Sequence, residues 1–115
     1  MKLLLDWESD DLGHMGMTVP DHTRESLEHY FLKGWEPGGF LTAMLTGDLY
    51  RAVSSADIAN RQVMWIIGRW ITVHAPAQSW GYPNAVNDWC LDKDGRRTAW
   101  AREVEKKEVW KTLSN

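Results

Sequence analysis

The sequence contains a single cysteine, Cys90, among 115 residues. One thiol cannot form a disulfide within the chain, and it cannot supply the repeated Cys and His spacing of a structural zinc site. Disulfide-stapled secreted scaffolds and zinc fingers are therefore excluded, and no cofactor or metal site is predicted. A reducing compartment, the cytoplasm, is the expected location.

Long hydrophobic runs are also missing. The most apolar stretch, residues 63–73, is interrupted by Gly68 and Arg69 and is shorter than the ~18–20 residues of a membrane-spanning helix. The chain opens like a signal peptide, with three consecutive leucines, but acidic residues at positions 6, 8, 10 and 11 follow at once. These patterns predict neither a transmembrane helix nor secretion.

The chain has no excess of positive charge. Thirteen Lys and Arg residues against sixteen Asp and Glu give a net charge of −3, so no overall positive field exists to bind a nucleic-acid backbone. Its length and its 43% hydrophobic content are typical of one globular domain. We assign residues 1–17 to an acidic N-terminal arm or short strand and residues 18–115 to a single helical domain.

Tryptophan is abundant, with eight residues at positions 7, 35, 65, 70, 80, 89, 100 and 110. Large aromatic side chains enlarge the core of a small protein or anchor an interface. We expect both uses in this chain.

Helical spacing predicts a first helix with Asp21 as its N-cap and Gly34 as its C-cap. Its expected core stripe and solvent face each contain four residues. The stripe consists of Leu27, Tyr30, Phe31 and Trp35, and the solvent face of Arg24, Glu25, Glu28 and Lys33.

Two longer helices are predicted next. The first opens at Pro37-Gly38-Gly39 and continues to Val53, and the second opens at a capping box, Ser54-Ser55-Ala56-Asp57, and ends before Pro76. Because the latter is apolar on most sides, we expect it to lie centrally or to be covered by a second subunit.

The rest of the chain predicts a short helix after Pro83 with Val86, Trp89 and Cys90, a turn at residues 92–95, and a final helix over residues 97–113. On the final helix Glu103 precedes Lys107 by four residues, a spacing that favours an ion pair. The fold class is therefore all-α, a compact and oligomeric bundle of four to five helices.

Catalytic residue types do not form a recognisable set. Cys90 and the histidines at positions 14, 22, 29 and 74 lack the spacing of a nucleophilic triad. His22 and His29 are seven residues apart, whereas helical zinc ligands are commonly four apart. We expect a protein that is not an enzyme.

A glycine turn is the best local candidate for a ligand site. Gly38, Gly39 and Thr42 lie where helix-opening amides and the helix dipole favour an anion, and glycine lets a phosphate approach the backbone. The alternative is a tight helix–helix turn in which the glycines serve geometry alone.

Polar residues within apolar helices form a second candidate group. Asp48 or Asp57 can accept hydrogen bonds from Arg51, Arg61 or Arg69 in an internal network, or Arg69 or Arg61 can bind a ribose or phosphate in a pocket. Trp80 and Tyr82 either stack on a base or, for Trp80, close the end of the core. The complete candidate ligand-binding set is Gly38, Gly39, Thr42, Asp57, Asn60, Arg61, Arg69, Trp80 and Tyr82.

An ordered pattern of residues extends across three predicted helices, from Tyr30 to Trp89. It consists of Tyr30, Gly34, Pro37-Gly38-Gly39-Phe40-Leu41, Asp48-Leu49, Ala56-Asp57, Asn60, Ile67, Pro76, Trp80-Gly81, Val86 and Trp89. This pattern resembles a family of small, mostly uncharacterised accessory proteins of tailed bacteriophages and prophages. The resemblance implies a counter-defence role in an infected bacterium.

Two functions follow as hypotheses. In the first, a homo-oligomer binds and sequesters a small immune nucleotide, a cyclic dinucleotide or cyclic ADP-ribose derivative, without cleaving it. In the second, exposed tryptophans and acidic residues block a host defence protein or a basic nucleic-acid-binding protein. A DNA-binding helix-turn-helix is not expected, because Trp65, Ile66 and Trp70 stand where a recognition helix needs polar side chains.

Overall fold

The computed structural model describes Leu4, Leu5, Trp7 and residues 18–114, with side chains as far as Lys107. Over these residues the chain is all-α, as predicted, and contains seven α-helices, one 3-10 turn and no strand. The α-helices are α1 (Asp21–Lys33), α2 (Gly39–Thr46), α3 (Leu49–Ser55), α4 (Ile58–Gln62), α5 (Met64–His74), α6 (Ala85–Leu91) and α7 (Arg96–Ser114), and the 3-10 turn is Ala77–Ser79. Within the described part of the chain, none of the helices has the length and apolarity to cross a membrane.

Helix α1 follows its predicted stripe over three turns. Leu27, Tyr30 and Phe31 are buried, and Gly34 ends the helix in the left-handed conformation with φ of 70°, which glycine adopts without steric strain. The predicted N-cap is wrong by one residue. Pro20 occupies that position, and Asp21 is the first helical residue.

Two side chains of this segment differ from the prediction. Glu28, expected on the solvent face, is 0% exposed, and Trp35, expected in the core, is 55% exposed. The left-handed Gly34 turns the chain away from the helix axis, so Trp35 no longer follows the helical period. Its ring packs instead on His29, with 4.6 Å between the ring centroids.

The second predicted helix is two helices. Gly47, with φ of 82°, ends α2, and the Asp48 carboxylate accepts a hydrogen bond from the backbone N–H of Arg51 to cap α3. Pro37 lies outside the helix, because Gly38 is the N-cap of α2. This break changes the direction of the chain, which leaves Leu49 and Val53 exposed.

The third predicted helix is also divided. Ser54 and Ser55 belong to the last turn of α3, so the predicted capping box is wrong, and Asp57 itself caps α4 by accepting from the Asn60 N–H at 2.8 Å. Val63 separates α4 from α5. Because two predicted helices each divide, the described chain has seven helices rather than four or five.

The core is built from residues of α1, α2, α5 and α6, and α7 packs on α1. The indole N–H of Trp89 donates to the backbone carbonyls of Tyr30 and Phe31, at 3.2 Å each, and the Tyr30 hydroxyl donates to the Ser79 carbonyl at 2.7 Å. These buried bonds hold α6 and the 3-10 turn on α1. Burial also raises the pKa of Tyr30 well above its usual range, so this hydroxyl remains a donor.

Helix α7 begins one residue before its predicted start, after the expected turn at residues 92–95. The Arg97 side chain donates to the carbonyl of Trp89 at 3.1 Å and lies so close to Gly34 that a Cβ there would be 2.6 Å from it. Further along α7, Glu103 pairs with Lys106 at 3.5 Å rather than with Lys107. Arg97 therefore joins the ends of α1 and α6 to the start of α7.

Candidate functional site

The predicted glycine turn is exposed at the start of α2. A Cβ at Gly38 or Gly39 would have no other atom within 4 Å, so neither glycine is required there by close packing. The Thr42 hydroxyl donates to the Pro37 carbonyl at 3.1 Å. Thr42 thus holds the turn in place.

Three further candidates lie on or beside α4. Asn60 is buried and accepts from the Thr23 hydroxyl at 2.6 Å, while Arg61 donates to the Ala56 carbonyl at 3.2 Å. Asp57 is exposed and lies 3.7 Å from His22. Asn60 therefore ties α4 to α1, and Arg61 contacts the turn that precedes α4.

The predicted internal network of aspartates and arginines is wrong. Asp48 and Asp57 cap two different helices and are both exposed, and Arg69 is exposed on α5. A short helix satisfies its first free amides with such a carboxylate, so these aspartates serve local structure. Of Asp48, Asp57, Asn60 and Arg69, only Asn60 is buried.

Trp80 and Tyr82 lie in the loop before α6 but in different surroundings. Trp80 is partly buried against the core, and the loop is tied to α2 by the Gly81 N–H, which donates to the Leu45 carbonyl at 2.8 Å. The position of Trp80 favours closure of the core over base stacking. Tyr82 faces a cleft, where its hydroxyl donates to Asp88 at 3.1 Å.

This cleft between α6 and α7 has a volume of about 310 Å³. Tyr82 is the one member of the candidate ligand set that lines it. The Asp92 carboxylate on its wall accepts from the Thr98 hydroxyl and from two backbone amides, bonds that lower the pKa of Asp92. Three carboxylates oppose a phosphate here. The lining is Gln78, Tyr82, Asp88, Trp89, Asp92, Lys93, Asp94 and Arg96.

Cysteine and histidine side chains have separate local roles in the described part of the chain. Burial raises the pKa of the Cys90 thiol, which lowers its nucleophilicity at neutral pH. His29 packs on Trp35 and His74 on Trp70, while His14 lies outside the described residues. Over the described residues, no three His, Cys, Asp or Glu side chains group closely enough to hold a metal ion.

Exposed large apolar side chains are concentrated in residues 49–65, and the sequence patterns missed this exposure. Five large hydrophobic side chains within 17 residues are between 45% and 86% exposed. We call this set of exposed side chains, carried by three successive helices, the α3–α5 face. It consists of Leu49, Tyr50, Val53, Ile58 and Trp65, with the exposed arginines Arg51, Arg61 and Arg69.

Helix α3 shows how little of this face is buried. Ala52 is the one buried residue of the helix, so its larger apolar side chains, Leu49, Tyr50 and Val53, all point to solvent. Singly exposed apolar residues are normal on a protein surface, but a concentration of them marks an interaction site.

The composition around this face is also that of an interface. Residues 49–87 contain neither Lys nor Glu, although α7 alone carries Glu103, Glu105, Lys106 and Lys107 before residue 108. Protein interfaces are enriched in Trp, Tyr and Arg and depleted in Lys and Glu. The α3–α5 face has this pattern, and its charges are mainly positive.

A buried carboxylate provides the second unusual feature. Glu28 of α1 accepts hydrogen bonds from the backbone N–H groups of Leu4 and Leu5, at 2.7 and 3.3 Å, and from the indole N–H of Trp7 at 3.0 Å. Trp7 is buried and stacks on Trp70, with 4.0 Å between ring centroids. Glu28 therefore holds the N-terminal arm on the core.

Burial raises the pKa of Glu28, although its three N–H donors and nearby His29 oppose the shift. The folded chain thus binds a proton at Glu28 more tightly than the unfolded chain does. The contribution of Glu28 to stability is therefore largest below pH 4.5, the ordinary pKa of a glutamate, and falls as pH rises through the elevated pKa. We compare the free energy of unfolding of wild type with that of Glu28→Gln. The difference, wild type minus variant, is expected to increase as pH falls from about 7 toward 4. Urea unfolding at each pH measures this difference, and a difference that is flat or decreases toward acid would contradict it.

Comparison with known proteins found no matching family model, curated protein or solved structure. The resemblance to phage accessory proteins therefore stays a prediction.

Proposed function

We propose that this chain is a non-catalytic protein-binding module that docks on a partner protein through the α3–α5 face. The observation that supports this function most directly is the concentration of exposed Leu49, Tyr50, Val53, Ile58 and Trp65 beside three arginines. Such aromatic and arginine side chains commonly carry most of the binding energy at protein interfaces.

The charge of this face favours an acidic partner. Arg51, Arg61 and Arg69 outnumber Asp57 among the charged residues from 49 to 73. A two-fold dimer through the same face would bring the arginines of two copies together, which is unfavourable unless they are paired. The partner is therefore a different protein with an apolar patch bordered by Asp or Glu, whereas the sequence alone had favoured a basic partner.

The experiment is site-specific photo-crosslinking in host cells. A photoreactive amino acid placed at Trp65 or Tyr50 is expected to capture one acidic protein, whereas the same group at exposed Leu91 on α6 is not. Binding of the purified partner is then measured by calorimetry. Trp65→Ala and Arg69→Glu are each expected to weaken binding by about 2 kcal/mol, roughly thirtyfold, and Leu91→Ala to leave it unchanged.

Equal capture at residues 65 and 91 would contradict the proposal, as would unchanged affinity of the Trp65→Ala variant. Stability is a separate check, because an exposed side chain contributes little to it. Trp65→Ala is expected to unfold within ~0.5 kcal/mol of wild type, so that a loss of binding reports on the face itself.

Sequestration of a nucleotide signal is the second candidate function. The observation that favours it is the open glycine turn at Gly38 and Gly39, where a phosphate can approach the backbone. Native mass spectrometry of protein from cells with an active nucleotide-signalling defence tests it. Retained mass of a few hundred daltons per site would support it, and a ligand-free chain would support the protein-binding function.

The cellular setting and the assembly of the protein are also part of what we propose. Counter-defence in the cytoplasm of an infected bacterium, and assembly as a homo-oligomer through a surface other than the α3–α5 face, derive from the family resemblance. Identification of the crosslinked partner and the mass of the native protein test these two points respectively.

A further inference from the structure

The groups that receive the N-terminal arm belong to two helices, α1 and α5. Glu28 of α1 and Trp70 of α5 form what we call the arm slot, and both are buried. The hydrogen bonds that the structure shows for Leu4, Leu5 and Trp7 all end on Glu28. A single side chain thus provides the polar contacts between the described arm and the rest of the chain.

The arm slot contacts backbone N–H groups and an indole ring, which a short peptide can also present. One carboxylate oxygen of Glu28 accepts from two consecutive backbone N–H groups, those of Leu4 and Leu5, and the other accepts from an indole N–H. The Trp7 ring lies nearly parallel to that of Trp70, at an interplanar angle of 13°, and Leu5 packs on the core. Because residue 4 contributes only its backbone N–H, the recognised segment is x-Leu-x-Trp.

The connection to the helical domain is long enough to permit exchange between molecules. Val19, the next buried residue described after Trp7, follows twelve residues later, and a chain of that length spans up to ~40 Å. Attachment favours the intramolecular contact at low concentration, and a second copy competes as concentration rises.

We propose that the arm slot is a peptide-binding site for an x-Leu-x-Trp segment, and that it also takes Leu4, Leu5 and Trp7 of a second copy in place of those of its own chain. This inference does not rest on the proposed function, because the α3–α5 face takes no part in it. Exchange of such an arm between two molecules joins them without requiring a new contact surface.

The test supplies the arm in trans to the full chain carrying Trp7→Ala. A fluorescein-labelled peptide of residues 1–10 is expected to bind this variant, and the same peptide with Trp7→Ala is expected to bind roughly a hundredfold more weakly. Fluorescence polarisation measures both affinities. Adding Glu28→Ala to the variant is expected to remove binding, whereas Glu103→Ala, at an exposed glutamate on α7, is expected to preserve it.

A second measurement covers the case in which the Trp7→Ala chain does not fold. Wild-type chain mixed with excess labelled peptide is expected to bind it slowly, because its own arm must leave the slot first. Equal affinity of the two peptides, or no polarisation change with either chain up to millimolar peptide, would overturn the proposal.

Discussion

Trp70→Ala is expected to lower the free energy of unfolding by about 3–5 kcal/mol. Trp70 is 1% exposed, stacks on Trp7, and has the Phe31 ring centroid 5.8 Å from its own. Removing its ring leaves a cavity bordered by aromatic groups from the arm and from α1, which cannot collapse together. Since small domains are stable by only ~5–15 kcal/mol, this one substitution is expected to remove a large part of the total.

The matched control for this substitution is on the same helix. Trp65→Ala removes the same side chain from α5, but Trp65 is 54% exposed. Urea and thermal unfolding of the two variants measure the difference, with an expected fall in melting temperature of more than ~10 °C for Trp70→Ala alone. Equal stability of the two variants would contradict the placement of these tryptophans.

Trp89→Ala is expected to have the second large effect, again about 3–5 kcal/mol. Its buried ring and the two hydrogen bonds of its indole N–H hold α6 on the carbonyls of Tyr30 and Phe31. Trp89→Phe keeps much of the apolar contact but leaves these carbonyls without that donor, so a smaller loss is expected, about 1–3 kcal/mol. Chemical denaturation of both variants separates the ring from the hydrogen bonds.

Leu91→Ala provides the control on α6, because Leu91 is exposed and its removal is expected to change stability by less than ~0.5 kcal/mol. If Trp89→Ala were no more destabilising than Leu91→Ala, α6 would not be held on α1 in the way described.

The two most informative features of the molecule were not predictable from local patterns. Glu28 has the position of a solvent-facing residue in the period of α1, yet it is buried because donors 21 to 24 residues earlier in the chain reach it. Leu49 and Val53 have the position of core residues in one long helix, yet Gly47 ends that helix before them. In each case a single tertiary or backbone feature reverses the expected burial.

The burial of residues in the candidate ligand set was likewise not predictable from local patterns. Polar residues such as Asp48 and Asp57 interrupt apolar helices in the sequence, which indicates burial only if the helices are continuous. Since each aspartate instead begins a new helix, its carboxylate has a local partner and needs no internal network. As a ligand set, the nine residues stay a prediction, and the structure assigns several of them local contacts.

The sequence by itself determined the all-α class, the core stripe of Leu27, Tyr30 and Phe31, the C-cap at Gly34, and the short helix that carries Val86 and Trp89. These features depend on propensity, capping and spacing among near neighbours in the chain. Only the tertiary structure decided that Glu28 receives the arm and that the α3–α5 face points to solvent, because burial depends on contacts between segments far apart in the sequence.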